Sequence, residues 1–503
     1  MSDVLAHLAA GFAVALLPAN LLAGFVGVVF GTAVGVLPGI GPAVAISLLL
    51  PTTFGLDPAT AFIMFGGIYY GSMYGGSTTS ILVNTPGDAS AAVTTIDGTQ
   101  MARSGRAGAA LTTAAIGSFV AGTFGTAMLM LLAPALVDVS LHFGPPEYFA
   151  LMLLALTTVS SLAGNSRAHA ATSLFLGLGL AIIGIDLQTG VSRLTFGRPE
   201  LFGGIDVVLA AVGLFAIGEV LWSAAAGGEQ VGGPAVVGRL MMTAEEWRRS
   251  IPAWLRGTAV GFGVGILPGA GGTTATFLAY SLERATSRQP EQFGRGAIEG
   301  VAGPEAANNA SAAGALVPLL GLGLPGSGTT AVMLAAFQLY GLTPGPLLFE
   351  QQPELVWGLI ASLYIGNVLL LVLNLPLVGL WVKLLQVPQP LLAGIIVLFA
   401  TLGAYSINGS IGDVTIAVVL GAVAFGLRQF GFPLPPVLLG LVIGPLLEQE
   451  LRRSLAISGG DPLIFFSRPI ATPLIAVTAV LVMWPLLVRL WGASSGKRRT
   501  QPG

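Results

Sequence analysis

Long apolar runs dominate this chain, and two of them are broken in the same way. Gly31–Pro51 reads GTAVGVLPGIGPAVAISLLLP, and Gly261–Ser281 reads GFGVGILPGAGGTTATFLAYS. Gly31, Gly35, Leu37, Pro38, Gly39 and Gly41 recur as Gly261, Gly265, Leu267, Pro268, Gly269 and Gly271. A second Pro-Gly follows each copy, in TPGDASAA (Thr85–Ala92) and in LPGSGTTA (Leu324–Ala331). Proline removes a backbone donor and glycine tolerates positive φ, so each motif interrupts a helix. In hydrocarbon such a break is tolerable only where the freed backbone groups are buried in protein or face a water-filled cavity. Paired, interrupted apolar segments at matching places in two halves point to the binding site of a transporter.

The remaining pattern supplies the spans around these breaks. Val4–Val36 is apolar, with a turn near Pro18. Ala59–Tyr74 is apolar and Gly-rich and leads into GGSTTSILVNTPGDAS, Gly75–Ser90. The polar stretch Thr94–Gly108 holds the first basic residues of the chain, Arg103 and Arg106. Spans are predicted over Ala109–Leu136, Tyr148–Leu162, Ala170–Ile185 and Val207–Trp222, with a polar connection of strand-like and turn-like pieces between the last two. Ser223–Ser250 separates the copies. In the second half a polar insert, Glu283–Glu299, precedes the second Pro-Gly, and spans follow over Leu355–Leu385, Leu391–Tyr405, Val414–Phe425, Pro435–Leu446 and Ile470–Leu490. Several approach the roughly 20 residues that cross a bilayer. The expected fold is an all-α polytopic membrane protein. It has two homologous halves, 1–222 and 251–503, joined by a 223–250 loop. The halves are inverted repeats built on broken or re-entrant helical hairpins.

Composition agrees. Hydrophobic residues make up 54% of the 503, charged residues 9%, and mean hydropathy is +0.85. Soluble domains carry about 25% charge, so most of this chain faces lipid or its own interior. A net charge of −2 argues against a nucleic-acid partner. The absence of cysteine excludes disulfides and thiol chemistry. Met1–Ala10 lacks the basic n-region of a signal peptide, so the N-terminal run is expected to be membrane segment. The basic tail at Lys497, Arg498 and Arg499 favours a cytoplasmic C-terminus.

Five stretches carry a resemblance: VGVLPGIGPAVAISLLLP, YGGSTTSILVNTPGDA, GVSRLTFGRPEL, GILPGAGGTTATFLAY and EGVAGPEAANNASAAGALVPLLGLGLPGSGTTAVML. With them, and over nearly its whole length, the chain resembles the large membrane subunit of the tripartite tricarboxylate transporters. The resemblance implies a multi-pass permease of the bacterial inner membrane, driven by an ion gradient, usually sodium. It also implies two partners, a small four-helix membrane subunit and a periplasmic solute-binding protein that delivers a carboxylate.

The residues around the breaks have chemistry for both solutes. Helix N-termini expose free N–H groups and a positive dipole end, which suit a carboxylate. Candidate substrate contacts are therefore Gly39, Gly41, Gly87, Gly269 and Gly271, with Ser77, Thr78, Thr79, Thr273, Ser327, Thr329 and Thr330. Opened carbonyls, hydroxyls and amides are hard oxygen ligands for Na⁺. Candidates for the ion are Pro38, Asn84, Pro268, Asn308, Asn309 and Ser311, with Asp88 and Glu305 as charged contributors, because charge inside a membrane is costly. The bland readings are close helix packing for the glycines and back-bonding to the helix for the hydroxyls. For the two acids it is a position in an aqueous vestibule. Asp186, Asp206, Glu219 and Asp413 fall at segment ends and read as interfacial or structural. Arg193 and Arg198 lie in the connection, where a solvated loop competes with a carboxylate-orienting or partner-docking role.

No organic cofactor or enzyme activity is expected. LPGSGTT lacks the lysine of a phosphate loop. Ser327 in Pro-Gly-Ser-Gly has no local base for a serine protease, since the histidines are His7, His142 and His169. The alternatives are a channel, since broken helices also line filters, and a permease for small anions that uses no binding protein.

Overall fold

The computed structural model describes residues 2–37, 39–140, 142–162, 166–186, 188–225, 237–385 and 387–494. Pro38 and the basic tail, both singled out from the sequence, lie outside these. Helix runs through almost all of the described chain. The exception is a two-stranded antiparallel ribbon in the polar connection, Gly184–Ile185 against Ser192–Arg193. Six stretches are long and apolar enough to cross a bilayer: Pro18–Val36, Thr94–Val139, Val207–Ala225, Pro353–Asn374, Pro390–Asn408 and Ile411–Gln429. The chain is a multi-pass membrane protein.

Local signals set the helix starts. Pro58 stands first in Pro58–Val83, and Asp57 caps that helix by accepting from Ala59 N at 2.9 Å. A capping box formed by Thr243 and Glu246 opens Ala244–Gly265, so the charged end of the connection folds as a first helical turn. The apolar run Ala59–Tyr74 and the Gly-Gly-Ser-Thr-Thr-Ser segment after it form one unbroken helix, Pro58–Val83. Its glycines serve packing there, and Ser80 Oγ returns to Gly76 O at 2.9 Å. The single span read over Leu355–Leu385 is instead two helices, Pro353–Asn374 and Val378–Leu384. Pro376 lies in the gap between them.

The core is built on helices packed backbone to backbone. Pro18–Val36 lies against Pro58–Val83 through Gly27, Gly31 and Gly35. A methyl group on any of them would stand 2.3, 2.4 or 2.3 Å from the carbonyl oxygen of Met64, Ile68 or Ser72. Ala244–Gly265 lies against Glu299–Leu322 through Gly257, Gly261 and Gly265, where a methyl would stand 2.2, 2.2 or 2.5 Å from the carbonyl oxygen of Gly303, Ala307 or Ser311. Lipid tails are as apolar as leucine, so helix association here rests on close packing of small residues.

The two halves are also pinned together by Asp97, fully buried in the short helix Thr94–Met101. Its Oδ1 accepts from the backbone N–H groups of Gly294, Gly296 and Ala297 at 2.9, 2.8 and 2.9 Å, and its Oδ2 from Tyr280 at 2.9 Å. This acid sat unremarked in the polar stretch 94–108.

Enlarging a packing glycine forces two backbones apart, and overpacking of this kind typically costs about 1–3 kcal/mol or more. Gly31→Val and Gly261→Val are expected to lower the thermal midpoint of the detergent-solubilised protein by several degrees or to prevent its recovery. Gly263→Ala should behave as wild type, because a methyl there meets nothing within 4 Å. Fluorescence-detected melting of the three variants checks this.

Candidate functional site

Each break ends one helix and opens another. Pro18–Val36 stops at Leu37; Gly39 adopts φ +79°, Gly41 is extended, and helix resumes at Pro42. Pro58–Val83 stops at Asn84, which takes the left-handed conformation at φ 59°. Asp88 then caps a 3₁₀ turn over Ala89–Ala92, its carboxylate accepting from Ala91 N at 3.1 Å. In the second half Ala244–Gly265 gives way to Gly269 at φ +77°, and Gly271–Thr286 begins with no side-chain cap on its N–H groups. Glu299–Leu322 ends at Gly323, and Ser327 opens Gly328–Leu339 in a reciprocal capping box with Thr330.

The four breaks touch one another in sequence. A methyl on Gly41 would stand 3.3 Å from Asp88 Cβ, which joins the first break to the second. One on Gly272 would stand 3.1 Å from Ser90 Cβ, which joins the second to the third. Gly269 N donates to Gly326 O at 3.0 Å, joining the third to the fourth. The Tyr69 and Ser327 hydroxyls lie 3.3 Å apart, tying the fourth break back to Pro58–Val83. A common internal contact recurs in both halves. Gly87 presses on the Gly35 carbonyl, where a methyl would come within 2.2 Å, and Gly326 presses on the Gly265 carbonyl at 3.1 Å.

Polar groups from both halves meet at Gly272. Asn308 is 1% exposed, and neither its Oδ1 nor its Nδ2 has a hydrogen-bond partner. Its Oδ1 and the Ser311 Oγ would lie 3.1 and 3.2 Å from a methyl on Gly272. Ser90, whose Cβ meets the same point, donates its hydroxyl to both carboxylate oxygens of Asp88 at 2.8 and 2.9 Å. Ser90 escaped the sequence reading, although it stands two residues after Asp88 in TPGDAS. An unpartnered amide in a protein interior costs roughly 1–3 kcal/mol, so a buried Asn308 with both ends free calls for a reason.

Glu305 lies one turn before Asn308 and is fully buried. Its two carboxylate oxygens accept from the hydroxyls of Ser77 and Thr94 in the other half. Among the described residues neither Glu305 nor Asp88 forms an ion pair. Asn309 Nδ2 donates to Ser118 Oγ at 2.7 Å and to Glu305 O at 3.2 Å, which leaves its buried Oδ1 without a partner.

Other sequence candidates are engaged elsewhere or lie apart. Thr79 donates to the Val36 carbonyl, and Ser327 and Thr330 cap each other's helix turn. The Pro268 carbonyl accepts from Thr158 at 2.6 Å, and Asn84, exposed, accepts from Thr99 at 3.0 Å. Thr78 and Thr329 are buried and make no side-chain hydrogen bond among the described residues. Thr273 is exposed, and a methyl on Gly271 would meet nothing within 4 Å.

Of the acids read as structural, Asp206 caps Val207–Ala211 and Asp413 accepts from Asn408 at 2.8 Å. Glu219 pairs with Arg428 beside Gly39. Asp186 anchors a surface network with Arg193, Arg452 and Glu448. The Gln188 N–H, helped by Thr189 and both arginines, holds the Asp186 carboxyl below the usual carboxylate range. Arg193 is thus a paired residue of the ribbon, while Arg198 is exposed.

Comparison with known proteins adds family evidence to this geometry. Residues 21–439 match the model of the tripartite tricarboxylate transporter TctA family. The chain is similar to an uncharacterized 52.8 kDa protein in the TAR-I ttuC′ 3′ region of Agrobacterium vitis, 50% identical over 487 residues and 97% of each chain. It is also 50% identical over 224 residues to an uncharacterized protein in the TAR-II ttuC′ 3′ region of the same organism, covering 44% of this chain and 93% of that one. No solved structure matches.

If Asn308 is kept for a ligand rather than for folding, replacing it with a similar-sized apolar side chain removes a desolvation cost. Asn308→Leu is therefore expected to melt at or above the wild-type temperature, by up to about 1–3 kcal/mol of added stability. A melting scan of purified protein without added solutes checks this; a large loss of stability would show that the amide has a structural partner.

Proposed function

This chain belongs to the tripartite tricarboxylate transporter TctA family as its large membrane subunit, and on that premise we propose that it is a sodium-driven secondary transporter whose solutes meet at the junction of the four Pro-Gly breaks. The family is one of transporter subunits for tricarboxylates, not of enzymes. By family, the subunit works in a bacterial inner membrane with a small four-helix membrane subunit and a periplasmic protein that brings the carboxylate. The matched glycine packing, and the Gly87–Gly35 and Gly326–Gly265 contacts that mirror each other, support two copies of one hairpin plan.

The observation that carries the reading is the unpartnered, buried Asn308 amide, which meets Ser311 and Ser90, the partner of Asp88, around Gly272 between the second and third breaks. The oxygens of Asp88, Ser90, Asn308 and Ser311 make a hard, singly charged set that suits a monovalent cation. Of the ion candidates read from the sequence, Asn308 and Ser311 line this point, Asn309 lies beside Glu305 instead, Pro268 and Asn84 accept bonds from threonines, and Pro38 lies outside the described residues. The carboxylate falls to the uncapped N-terminus of Gly271–Thr286, where free N–H groups and the dipole favour an anion without a buried arginine. A cation beside that helix end makes anion binding depend on sodium by simple charge balance.

Reconstituted with its partners, the complex should lose most citrate uptake when choline replaces external sodium; uptake that persists unchanged overturns sodium coupling. Gly39→Val and Gly269→Val place a β-branched residue at φ near +80° and should abolish uptake in membranes of matched expression. Asn308→Leu should raise the sodium concentration for half-maximal uptake at least tenfold. Substrate counterflow in the wild type separates a carrier from a channel.

A further inference from the structure

We propose that Glu305 forms a second monovalent-cation site, separate from the one at Asp88, so that two sodium ions enter with each substrate. This rests on the transport reading above and adds its stoichiometry.

The contrast among buried acids carries the argument. Asp97 is as deeply buried as Glu305, but it faces three backbone N–H groups and a tyrosine hydroxyl, so its negative charge is met by fixed donors. Glu283 is buried against the guanidinium of Arg256. Glu305 has neither arrangement. It meets only the hydroxyls of Ser77 and Thr94, one on each carboxylate oxygen. A carboxylate held in an interior by two neutral hydroxyls is a poorly compensated charge.

Those partners have a property that N–H groups lack. A hydroxyl is both donor and acceptor, so Ser77 and Thr94 can rotate their protons away and offer lone pairs to a cation. Two carboxylate oxygens and two hydroxyl oxygens then converge from Glu299–Leu322, Pro58–Val83 and Thr94–Met101, that is, from both halves of the chain. A second observation points the same way. One turn along the helix, the Asn309 amide is fixed through its nitrogen to Ser118 and to the Glu305 carbonyl, and its oxygen, 1% exposed as a residue, has no donor. No histidine or cysteine accompanies the set, and among the described residues no group of three acids or histidines suited to a multivalent metal exists. The chemistry is that of a singly charged, oxygen-preferring ion.

The two sites are distinct because their carboxylates stand on different segments with different hydroxyls: Asp88 with Ser90, Glu305 with Ser77 and Thr94. Asp88 also accepts the Ala91 N–H, whereas Glu305 has hydroxyls alone, so an ionised Glu305 calls for a cation of its own.

Equilibrium binding of ²²Na⁺ to the purified protein in detergent tests this. Wild type should bind two ions per chain, and Glu305→Gln and Asp88→Asn one each. In proteoliposomes with the full complex, the logarithmic slope of initial citrate uptake against low sodium should fall from two to one in Glu305→Gln. Thr94→Val keeps the carboxylate and should weaken one of the two binding constants about tenfold, which preserves the test if Glu305→Gln does not fold. A wild type that binds one ion, lost in Asp88→Asn and retained in Glu305→Gln, overturns the second site while the transport reading stands. Two ions still bound by Glu305→Gln overturns it as well. No sodium bound by the wild type overturns both sodium sites.

Discussion

A helix broken inside a bilayer leaves N–H and C=O groups that no water can take up, and the rest of this structure follows from that constraint. The breaks are held by other backbone. Gly35 and Gly265 present carbonyls to Gly87 and Gly326, and Gly269 donates to Gly326 across the second-half hairpin. Such contacts require that no side chain intervene. They account for glycines at every fourth position of the two helices that lead into the Leu-Pro-Gly motifs. The same stripes that close the helices together hold the breaks in contact with one another.

The polar groups inside this close-packed frame divide by how their charge is met. Asp97 holds the two halves together because three N–H groups converge on it, and its loss would leave those donors stranded. Glu283, Glu246 and Glu299 are neutralised by Arg256, Arg106 and Arg249 on the edge of the frame. Glu305 meets only two hydroxyls, Asp88 a hydroxyl and the single Ala91 N–H, and Asn308 and Asn309 keep buried oxygens with no donor. The unmet polar atoms lie where segments of both halves come together.

Much of this was legible in the chain. The Pro-Gly breaks, their duplication and the membrane character are properties of local covalent chemistry and composition: proline lacks a donor, glycine permits positive φ, and a chain with 9% charged residues cannot be mostly wetted. Those are the same in any tertiary context. Glu305 and Asp88 could be singled out as costly charges for the same reason. What could not be read was pairing. A serine in GGSTTS has the same composition whether it back-bonds to its own helix, as Ser80 does, or reaches across the interface to an acid, as Ser77 does. Only the packing of Pro58–Val83 against Glu299–Leu322 decides between them. Asp97 and Ser90 were passed over because their partners lie about 200 residues away or in an unmarked turn. The sequence by itself determined where the helices must break and that the breaks come in two sets. The tertiary structure alone decided which broken ends meet and which buried polar atoms are left without partners, because hydrogen bonds across an interface depend on distances that no local pattern encodes.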